Sequence, residues 1–506
     1  MLSKVISGAT VGLDSVPIEV EVDIAAQGLP AFTIVGLPDK AVEESKERVR
    51  AALKNVGAEF PSKRITVNLA PADMPKEGPA YDLPIAIGIL IASGQLSADL
   101  ADSLFVGELS LDGNLRATSG ILSFALLAKE KNFKRIIIPS INAKEAAVVE
   151  GISVIGVENV IDLFHHLSGN KKIAPQPKVK LDLETKADSE FDMKEIRGQE
   201  TAKRALEIAA AGGHNTLLKG PPGAGKTLLA RAFPSILPRL TLEEALEVTK
   251  IYSILGLVNP ADPVMKTRPF RSPHHSASAI GLIGGGTHPK PGEISLANRG
   301  VLFLDEFPEF PRHVLESLRG PLEDGVVTVS RASASLSFPA NFTLIAAANP
   351  CPCGFLGDET KECNCLPGQI VRYQKRLSGP ILDRIDLHVD VPAVKVDRLT
   401  GDTEGEPSEN IRNRVQRAKE IQLKRFSGAS ISGNSEMGPK SIKIFCKLSP
   451  DCLDLLRAAV SRMQLSARGY HRVLKVARTI ADLEGSKEID TTHIAEALQY
   501  RSKAES

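Results

Sequence analysis

An eight-residue glycine-rich segment with the spacing G-x-x-x-x-G-K-T constrains the fold of this chain more than any other feature. It consists of Gly220, Pro221, Pro222, Gly223, Ala224, Gly225, Lys226 and Thr227. Apolar residues 216–218 before the segment predict a strand, and residues 228–233 after it predict a helix. Glycines at such a turn let successive backbone N–H groups point at phosphate oxygens. The segment therefore predicts a nucleoside triphosphate site in which Lys226 contacts the β- and γ-phosphates and Thr227 binds Mg²⁺.

A second apolar run, residues 301–304, ends in two adjacent carboxylates, Asp305 and Glu306. Successive side chains of a strand point to opposite faces, so the two acids cannot do the same job. We predict that Asp305 supports Mg²⁺ coordination and that Glu306 polarises the attacking water. The strand predicted at 342–348 ends at Asn349, on the sheet edge where nucleotide sites form. Asn349 is therefore a predicted γ-phosphate sensor, with a simple turn-forming asparagine as the alternative.

The composition is that of an ordinary globular protein, with 42% hydrophobic and 24% charged residues. Its 62 basic and 61 acidic residues leave a net charge of +1, so no global basic field indicates nucleic acid and any DNA contact must be local. The longest apolar run, residues 83–92, is too short to span a bilayer. Asp14, Glu19 and Glu21 interrupt the N-terminus before an apolar signal core can form. We therefore expect a cytoplasmic protein without a membrane segment.

Predicted strands and helices divide the chain into four parts. Residues 1–168 predict a compact α+β domain, and residues 169–192 predict an exposed linker without apolar periodicity. Residues 193–396 predict an α/β core with a parallel sheet. Residues 397–506 predict a helical domain. The fold class is thus α/β, with an α+β domain in front of the nucleotide-binding core.

Four of the six cysteines lie in one loop, residues 351–365, as Cys351, Cys353, Cys363 and Cys365. In a reducing compartment, four thiolates in one short loop indicate a structural, tetrahedral Zn²⁺. The spacer within each pair is one residue, shorter than the usual two to four, and this strains the geometry. A redox or disulfide role and unligated thiols are the alternatives.

The chain resembles the AAA+ ATPases, and more narrowly the Mg-chelatase-like branch that includes the YifB/ComM family. The segments that carry the resemblance are SPHHSASAIGLIGGGTHPKPGEISLANRGVLFLDEFPEF, LRGPLEDGVVTVSR, AAANPCPCG and LSGPILDRIDLHVDV. The resemblance covers nearly all 506 residues. It implies an AAA+ P-loop core with a helical lid, ATP and Mg²⁺ as cofactors, and a homo-hexameric ring with a nucleotide at each subunit interface.

The same resemblance implies roles for two arginines. Arg384 matches the arginine finger that reaches the γ-phosphate of the neighbouring subunit, where a fixed guanidinium stabilises developing charge. The alternative for Arg384 is a surface arginine beside Asp383 and Asp386. Arg468 matches the sensor-2 arginine of the lid, and Arg472, about one turn later, competes for that role.

Related AAA+ motors carry loops that project into the ring pore, and two stretches of this chain correspond to them. The first stretch contains His274 and His275, and the second is a predicted hairpin at 325–338 with Arg331 near its tip. Small, polar and single-cation residues suit sequence-independent contact with a DNA backbone. The alternative is that these are flexible interface loops in which the histidines cap or pack.

Residues 1–168 resemble the Lon-protease catalytic fold, which is related to ribosomal S5 domain 2. The matching segments are 75–80, 106–109, 120–124 and 136–139. The resemblance puts Ala80 at the position of the nucleophilic serine and Phe124 at that of the lysine base. Neither side chain supports the dyad chemistry, because alanine offers no nucleophile and phenylalanine accepts no proton. We expect an interaction or ring-forming domain without protease activity.

Three functions share the ATPase and differ in the substrate. The first is an ATP-driven DNA motor that, as the resemblance to the YifB/ComM family implies, promotes branch migration during integration of incoming DNA. The second is a chaperone-like remodeller resembling the AAA+ subunit of magnesium chelatase. The third is an ATP-dependent protease, which the missing dyad disfavours. We expect the DNA motor, because the fused N-terminal domain is more typical of the YifB/ComM family than of chelatase subunits.

Overall fold

The computed structural model describes residues 1–179, 190–286, 289–330, 335–358, 361–377, 379–393, 405–429 and 431–501. The chain divides into two compact units. The N-terminal unit contains the described residues of Met1–Asp182 together with Leu242–Met265. The second unit, here called the phosphate-loop unit, contains the described residues of Leu183–Thr241 and Lys266–Ser506.

A seven-stranded mixed sheet forms the centre of the N-terminal unit. The strands of this unit are β1 (Leu2–Val11), β2 (Asp14–Ile24), β3 (Ala31–Val35), β4 (Arg64–Ala70), β5 (Ser103–Phe105), β6 (Glu108–Leu109), β7 (Leu115–Arg116), β8 (Arg135–Pro139) and β9 (Ser153–Val157). The sheet has the order β3-β4-β2-β1-β5-β8-β9, and β6 and β7 pair separately. Ile18, Val20 and Val22 alternate along β2 and are fully buried, so one face of this sheet covers the core.

The helices of this unit lie against that sheet. They are α1 (Lys40–Asn55), α2 (Asp82–Ala92), α3 (Ile121–Glu130), α4 (Ala143–Ala146), α5 (Val160–Leu167) and α8 (Leu242–Ile254). The longest apolar run of the sequence forms α2, which is buried almost all round and therefore has no polar face. Within the described ranges, none of the helices combines the length and the apolar character that crossing a bilayer requires.

Helix α8 belongs to the N-terminal unit, although it follows the phosphate loop in the sequence and lies within residues 193–396, the predicted α/β core. The carbonyl of Ser253 in α8 accepts the N–H of Gly120 at 2.8 Å, and its hydroxyl donates to Glu145 Oε1 at 2.5 Å. Glu145 is buried and also accepts the N–H of Leu122 at 3.0 Å. These bonds satisfy polar groups that burial would otherwise leave unpaired. They anchor α8 to the start of α3.

Five parallel strands form the central sheet of the phosphate-loop unit, in the order β11-β14-β17-β10-β18. The strands of this unit are β10 (Thr216–Lys219), β11 (Phe270–Arg271), β12 (Gly284–Gly285), β13 (Lys290–Pro291), β14 (Val301–Leu304), β15 (Val326–Ser330), β16 (Ser335–Pro339), β17 (Thr343–Ala348) and β18 (Leu387–Asp390). The pairs β12/β13 and β15/β16 are antiparallel ribbons. The predicted α/β class with a parallel sheet is confirmed, and β15/β16 form the predicted hairpin.

Helices surround this sheet and continue into a helical C-terminal part. They are α6 (Glu200–Gly212), α7 (Lys226–Ala232), α9 (Ala279–Ile283), α10 (Glu293–Leu296), α11 (Arg312–Ser317), α12 (Arg319–Asp324), α13 (Pro367–Gln374), α14 (Gly379–Leu382), α15 (Ser408–Arg425), α16 (Pro439–Phe445), α17 (Pro450–Met463), α18 (Ala467–Glu484) and α19 (Thr491–Gln499). Arg204 of α6 pairs with Glu496 of α19 at 2.8 Å, and Gln422 of α15 donates to the Ala211 carbonyl at 3.0 Å. The C-terminal helices therefore pack directly on the core.

Replacing Ser253 by alanine tests the anchoring of α8. The variant leaves buried Glu145 with one donor fewer, so we expect the opening free energy of α3, measured by amide hydrogen exchange, to fall by about 1–3 kcal/mol. Burial raises the pKa of Glu145 above its usual value of 4.5. A carboxyl whose pKa is raised in the folded state lowers stability as pH rises through that value, because the charged form is the costly one.

The loss caused by Ser253→Ala should therefore grow as pH rises above 4.5, the usual value for a glutamate. Ser97→Ala, at an exposed position of the same unit, is the matched control and should change little. An equal loss in both variants, or a loss in Ser253→Ala that does not change with pH, contradicts this account.

Candidate functional site

The phosphate loop begins where β10 ends, at an inner position of the parallel sheet. Gly220 donates its N–H to the Ala348 carbonyl at 3.2 Å, and a Cβ at this position would collide with the Val391 carbonyl oxygen. Gly223 and Gly225 have φ of +79° and +87°, a left-handed conformation that glycine adopts readily. Gly220 is therefore required by the close approach of the backbone at Val391, and Gly223 and Gly225 are favoured by their positive φ.

Lys226 is buried inside this turn, and within the described residues no carboxylate lies at ion-pair distance from it. Its ammonium donates to the carbonyls of Gly220 and Pro221 at 2.6 and 2.9 Å and to Asn349 Oδ1 at 3.0 Å. Burial lowers the pKa of Lys226 because the charged form loses hydration. A buried cation beside a glycine cradle, with Asp305 nearby but not in a direct ion pair among the described residues, fits an anionic phosphate.

The end of β14 lies next to the loop and supplies the carboxylates. Thr227 Oγ1 donates to Asp305 Oδ2 at 2.8 Å, so the two oxygens predicted to bind Mg²⁺ are adjacent. Hydroxyl and carboxylate oxygens are ligands that Mg²⁺ accepts. Glu306 has φ of +49°, uncommon for a residue other than glycine, and is exposed, whereas Asp305 is half-buried. Both acids follow the end of β14, so the turn conformation of Glu306, rather than the predicted alternation along a strand, gives the two acids different surroundings.

His275 Nδ1 lies 3.2 Å from Glu306 Oε2. Its ring centroid is 4.0 Å from that of His274, whose Nδ1 in turn lies 2.8 Å from Ser276 Oγ. Both histidines thus take part in packing, capping or ion-pair contacts within this unit, and the contact with Glu306 is one that the sequence analysis missed. This contact could not be predicted from residue spacing, because His275 and Glu306 are 31 residues apart and lie in two different loops. Arg331, the third predicted DNA contact, lies outside the described residues.

Arg384 is 8% exposed and lies against α12 of its own subunit. Its guanidinium pairs with Glu323 and donates to the Pro380 carbonyl, while Nε is buried without a hydrogen-bond partner in the described structure. Arg384 is therefore not the surface arginine beside Asp383 and Asp386 that the alternative interpretation expected. To act as a finger on a neighbouring subunit, Arg384 has to exchange Glu323 for a phosphate.

The two candidates for the lid arginine differ in their surroundings. Arg468 is exposed in the first turn of α18, which Ser466 caps by accepting the N–H of Gly469 at 3.1 Å. Arg472 is largely buried, and its Nε lies 3.3 Å from Asp386 Oδ1. Arg472 is therefore engaged in the core of the unit, and Arg468 is the accessible one.

The four loop cysteines meet in one cluster, with all Sγ atoms within 4.8 Å of one another. Cys351 Sγ lies 3.4 Å from Cys353 Sγ and 3.6 Å from Cys363 Sγ, close to the roughly 3.8 Å that a tetrahedral ion with 2.3 Å Zn–S bonds requires. None of the four is in a disulfide. A hydrogen bond from the Phe355 backbone lowers the pKa of Cys353 to about 6. The cluster can bind a metal ion.

The loop that carries the cysteine cluster also touches the phosphate loop. Gly354 has φ of +86°, and a Cβ there would press on the ring of Pro222. Helix α13, which follows Cys365, lies at the same place, because the backbone amide of Asn349 is close enough to the hydroxyl of buried Tyr373 to offset part of the rise in its pKa that burial causes. The cysteine-rich loop thus braces residues of the candidate site.

In the N-terminal unit, Ala80 and Phe124 line one cavity of about 160 Å³. Phe124 is 3% exposed, and its ring packs so closely on Gly8 that a Cβ at Gly8 would lie 2.7 Å from it. Ala80 and Phe124, the two positions that match the Lon dyad by resemblance, therefore line the same cavity. Ser123, beside Phe124, donates instead to the Leu13 carbonyl at 2.8 Å.

Three family models match along the chain. The model described as "Magnesium chelatase, subunit ChlI" matches residues 192–399, and "Magnesium chelatase, subunit ChlI C-terminal" matches residues 405–501. "Subunit ChlI of Mg-chelatase" matches residues 20–142. The matches to the later part agree with a P-loop core followed by a helical part, and they imply ATP and Mg²⁺ as cofactors.

Curated relatives extend the similarity to nearly full length. The chain is 46% identical to "Competence protein ComM" of Haemophilus influenzae, over 99% of this chain and 97% of that protein. It is 45% identical to "Uncharacterized protein YifB" of Escherichia coli over the same shares. The "Magnesium-chelatase 38 kDa subunit" of Cereibacter sphaeroides is 24% identical over 60% of this chain and 88% of the relative. The chain therefore belongs to the YifB/ComM family of Mg-chelatase-like AAA+ ATPases.

Proposed function

We propose that this protein is an ATP-driven, homo-hexameric DNA motor that promotes branch migration of DNA junctions. The observation that carries the ATPase part is the meeting of the loop and strand-end residues, in which Lys226 contacts Asn349 and Thr227 contacts Asp305. The full-length similarity to a protein named for competence supports the DNA part. Fold alone does not decide between substrates, so the substrate must be tested directly.

In the proposed reaction, Lys226 and the loop amides bind the β- and γ-phosphates. Thr227 and Asp305 would hold Mg²⁺, whose chemistry when bound would be to neutralise negative charge on the phosphate oxygens. Glu306 orients the attacking water and accepts its proton. Asn349 exchanges its bond with Lys226 for one with the γ-phosphate, and so reports the nucleotide state to β17.

The remaining site residues come from the assembly and the lid. Arg384 of a neighbouring subunit stabilises the transferred phosphoryl group, which requires a closed ring. Arg468 approaches the nucleotide from the lid, since Arg472 is held by Asp386. His274, His275 and Arg331 contact the DNA backbone without reading its sequence.

We further propose that the N-terminal unit is a Lon-like domain without protease activity. The cavity lined by Ala80 and Phe124 supports this proposal. A cleft is present at the two dyad positions, but the alanine supplies no nucleophile and the phenylalanine supplies no base. The protease alternative is correspondingly disfavoured.

A chelatase-like remodeller remains the second candidate, because all three matching family models carry the magnesium chelatase name. One of these models matches residues 20–142. The presence of the N-terminal domain therefore separates a DNA motor from a chelatase-like remodeller less clearly than we expected from the sequence. A remodeller differs from a DNA motor in one measurable respect, namely that a protein partner rather than DNA stimulates its ATPase.

A strand-exchange assay on synthetic three- and four-way DNA junctions, with ATP and Mg²⁺, tests the proposed function. We expect the purified protein to bind the junctions and move their branch point, and Lys226→Ala to abolish movement. The DNA-motor proposal fails if junctions are neither bound nor moved while a protein partner stimulates ATP hydrolysis.

Two substitutions separate nucleotide binding from turnover. Lys226→Ala should weaken ATP binding by at least about 30-fold, since it removes a buried charge from the phosphate site. Glu306→Gln should bind ATP with little change and lower kcat by about 10²–10⁴-fold, since it removes the general base. Glu409→Gln, at an exposed position of α15, is the control. Titration with a fluorescent ATP analogue and phosphate release measure the two effects, and normal hydrolysis in either variant contradicts the assignments.

We propose that the cysteine cluster holds one structural Zn²⁺. Metal analysis of the purified protein should give about one zinc per chain, and Cys363→Ser should lose most of it. Cys446→Ser changes a buried cysteine outside the cluster and should retain the metal. Metal-free wild-type protein with normal stability and ATPase activity would leave the cluster as unligated thiols.

A further inference from the structure

A wide cleft of about 750 Å³ lies in the phosphate-loop unit, outside the nucleotide site. One wall is the turn after the strand-end carboxylates, with Glu309 and Arg312, and the other is the face of α13 and the residues after it, with Arg372, Lys375 and Arg376. We call this feature the basic cleft. Neither the family matches nor the sequence analysis assigned it a role.

The charge of the basic cleft is mainly positive, although Arg312 Nε lies 4.0 Å from Glu316 Oε1, one turn later on α11. Four cations line it and Glu309 is the one carboxylate among its lining residues. Glu309 Oε2 lies 2.5 Å from Arg376 Nη1 and is neutralised by that pair. Within the described part of the chain, Arg372 and Lys375 have no ion-pair partner and are exposed. In a chain whose net charge is only +1, this is a local concentration of positive charge that attracts anions.

Three of the cations share one wall of the cleft. Arg372, Lys375 and Arg376 are spaced i, i+3 and i+4, so they project from one face of α13 and the turn that ends it. Val371 is exposed in the same cleft, and the walls do not close over the cations. An open groove with several cations on one wall suits an extended anion that carries repeated charges, rather than a small enclosed ligand.

Both walls are attached to the candidate ATPase residues. On the opposite side of α13, the side chain of buried Tyr373 lies close to the backbone amide of Asn349. Across the cleft, Glu309 follows Glu306 by three residues in the same turn. An anion that draws the two walls together therefore acts on elements that carry the proposed sensor and general base.

We propose that the basic cleft binds the phosphodiester backbone of nucleic acid, independently of sequence, through Arg372, Lys375 and Arg312. This proposal rests on the proposed DNA-motor function and adds a binding surface distinct from the loops of His274 and Arg331. Guanidinium and ammonium groups bind phosphate oxygens without reading bases, as a motor requires. The contacts to Asn349 and to the turn after Glu306 make DNA binding at this cleft a stimulus for ATP hydrolysis.

The test compares full-length wild-type protein with the double variant Arg372→Glu, Lys375→Glu. The probes are a fluorescein-labelled oligonucleotide and its duplex, titrated between roughly 50 and 200 mM salt. We expect weaker binding of both probes and a salt-dependence slope, log K against log salt, that falls by about 2, one for each phosphate contact removed. Stimulation of ATPase activity by DNA should be lost, while ATP hydrolysis without DNA stays near the wild-type rate.

The matched control is Lys440→Glu, Lys443→Glu, which reverses two exposed charges at the same i, i+3 spacing on α16 of the same unit. It should leave affinity, salt slope and stimulation close to wild type. The milder variant Arg372→Gln, Lys375→Gln should reduce the slope in the same direction, and thermal unfolding checks that each variant is folded.

The outcomes separate this proposal from the one it rests on. If wild-type protein binds the probes and the Arg372, Lys375 variants bind them equally well, the basic cleft is not the nucleic-acid surface and the motor proposal stands. If wild-type protein binds no nucleic acid at all, both proposals fail. If both Arg372, Lys375 variants lose ring assembly instead of DNA binding, the cleft receives a neighbouring subunit, which also overturns the proposal.

Discussion

The parallel register of β14, β17 and β10 is the constraint on which the candidate site depends. Lys219 at the end of β10 pairs with Ala348 at the end of β17, and Leu304 of β14 pairs with Ala346. Because parallel strands end at the same edge, the phosphate loop, the carboxylates and Asn349 converge there. Residues far apart in sequence can then form the contacts Lys226–Asn349 and Thr227–Asp305. A slip of one residue would turn these side chains to the wrong face.

Those parts of the fold and of the candidate site that depend on residues close together in the sequence could be predicted from the sequence. The loop glycines, the strand-end acids and the buried strands each depend on local geometry, and the structure places them accordingly. The transfer of α8 to the N-terminal unit was not predictable, since it depends on the fit of Ser253 between Gly120 and Glu145. The pairing of Arg384 with Glu323 was missed for the same reason, because no periodicity connects a loop residue to α12.

Several structural elements connect the nucleotide site to the rest of its unit. Gly354 of the cysteine-rich loop packs on Pro222, and Tyr373 of α13 lies close to the backbone amide of Asn349. His275 contacts Glu306 from another loop. Each contact joins another element of the unit to a residue of the candidate nucleotide site. Such contacts give a physical route by which binding elsewhere alters hydrolysis, since both events bias the same packed elements.

The central claim is that each ATPase site is completed by a neighbouring subunit. Mixing Arg384→Ala subunits with Glu306→Gln subunits tests it most directly, because each variant supplies the residue that the other lacks. Each variant alone should be inactive, and an equal mixture should regain ATPase activity at about one quarter of its interfaces if subunits assemble at random. Activity in the mixture no higher than in either variant alone would contradict a shared site and leave Arg384 as a structural residue paired with Glu323.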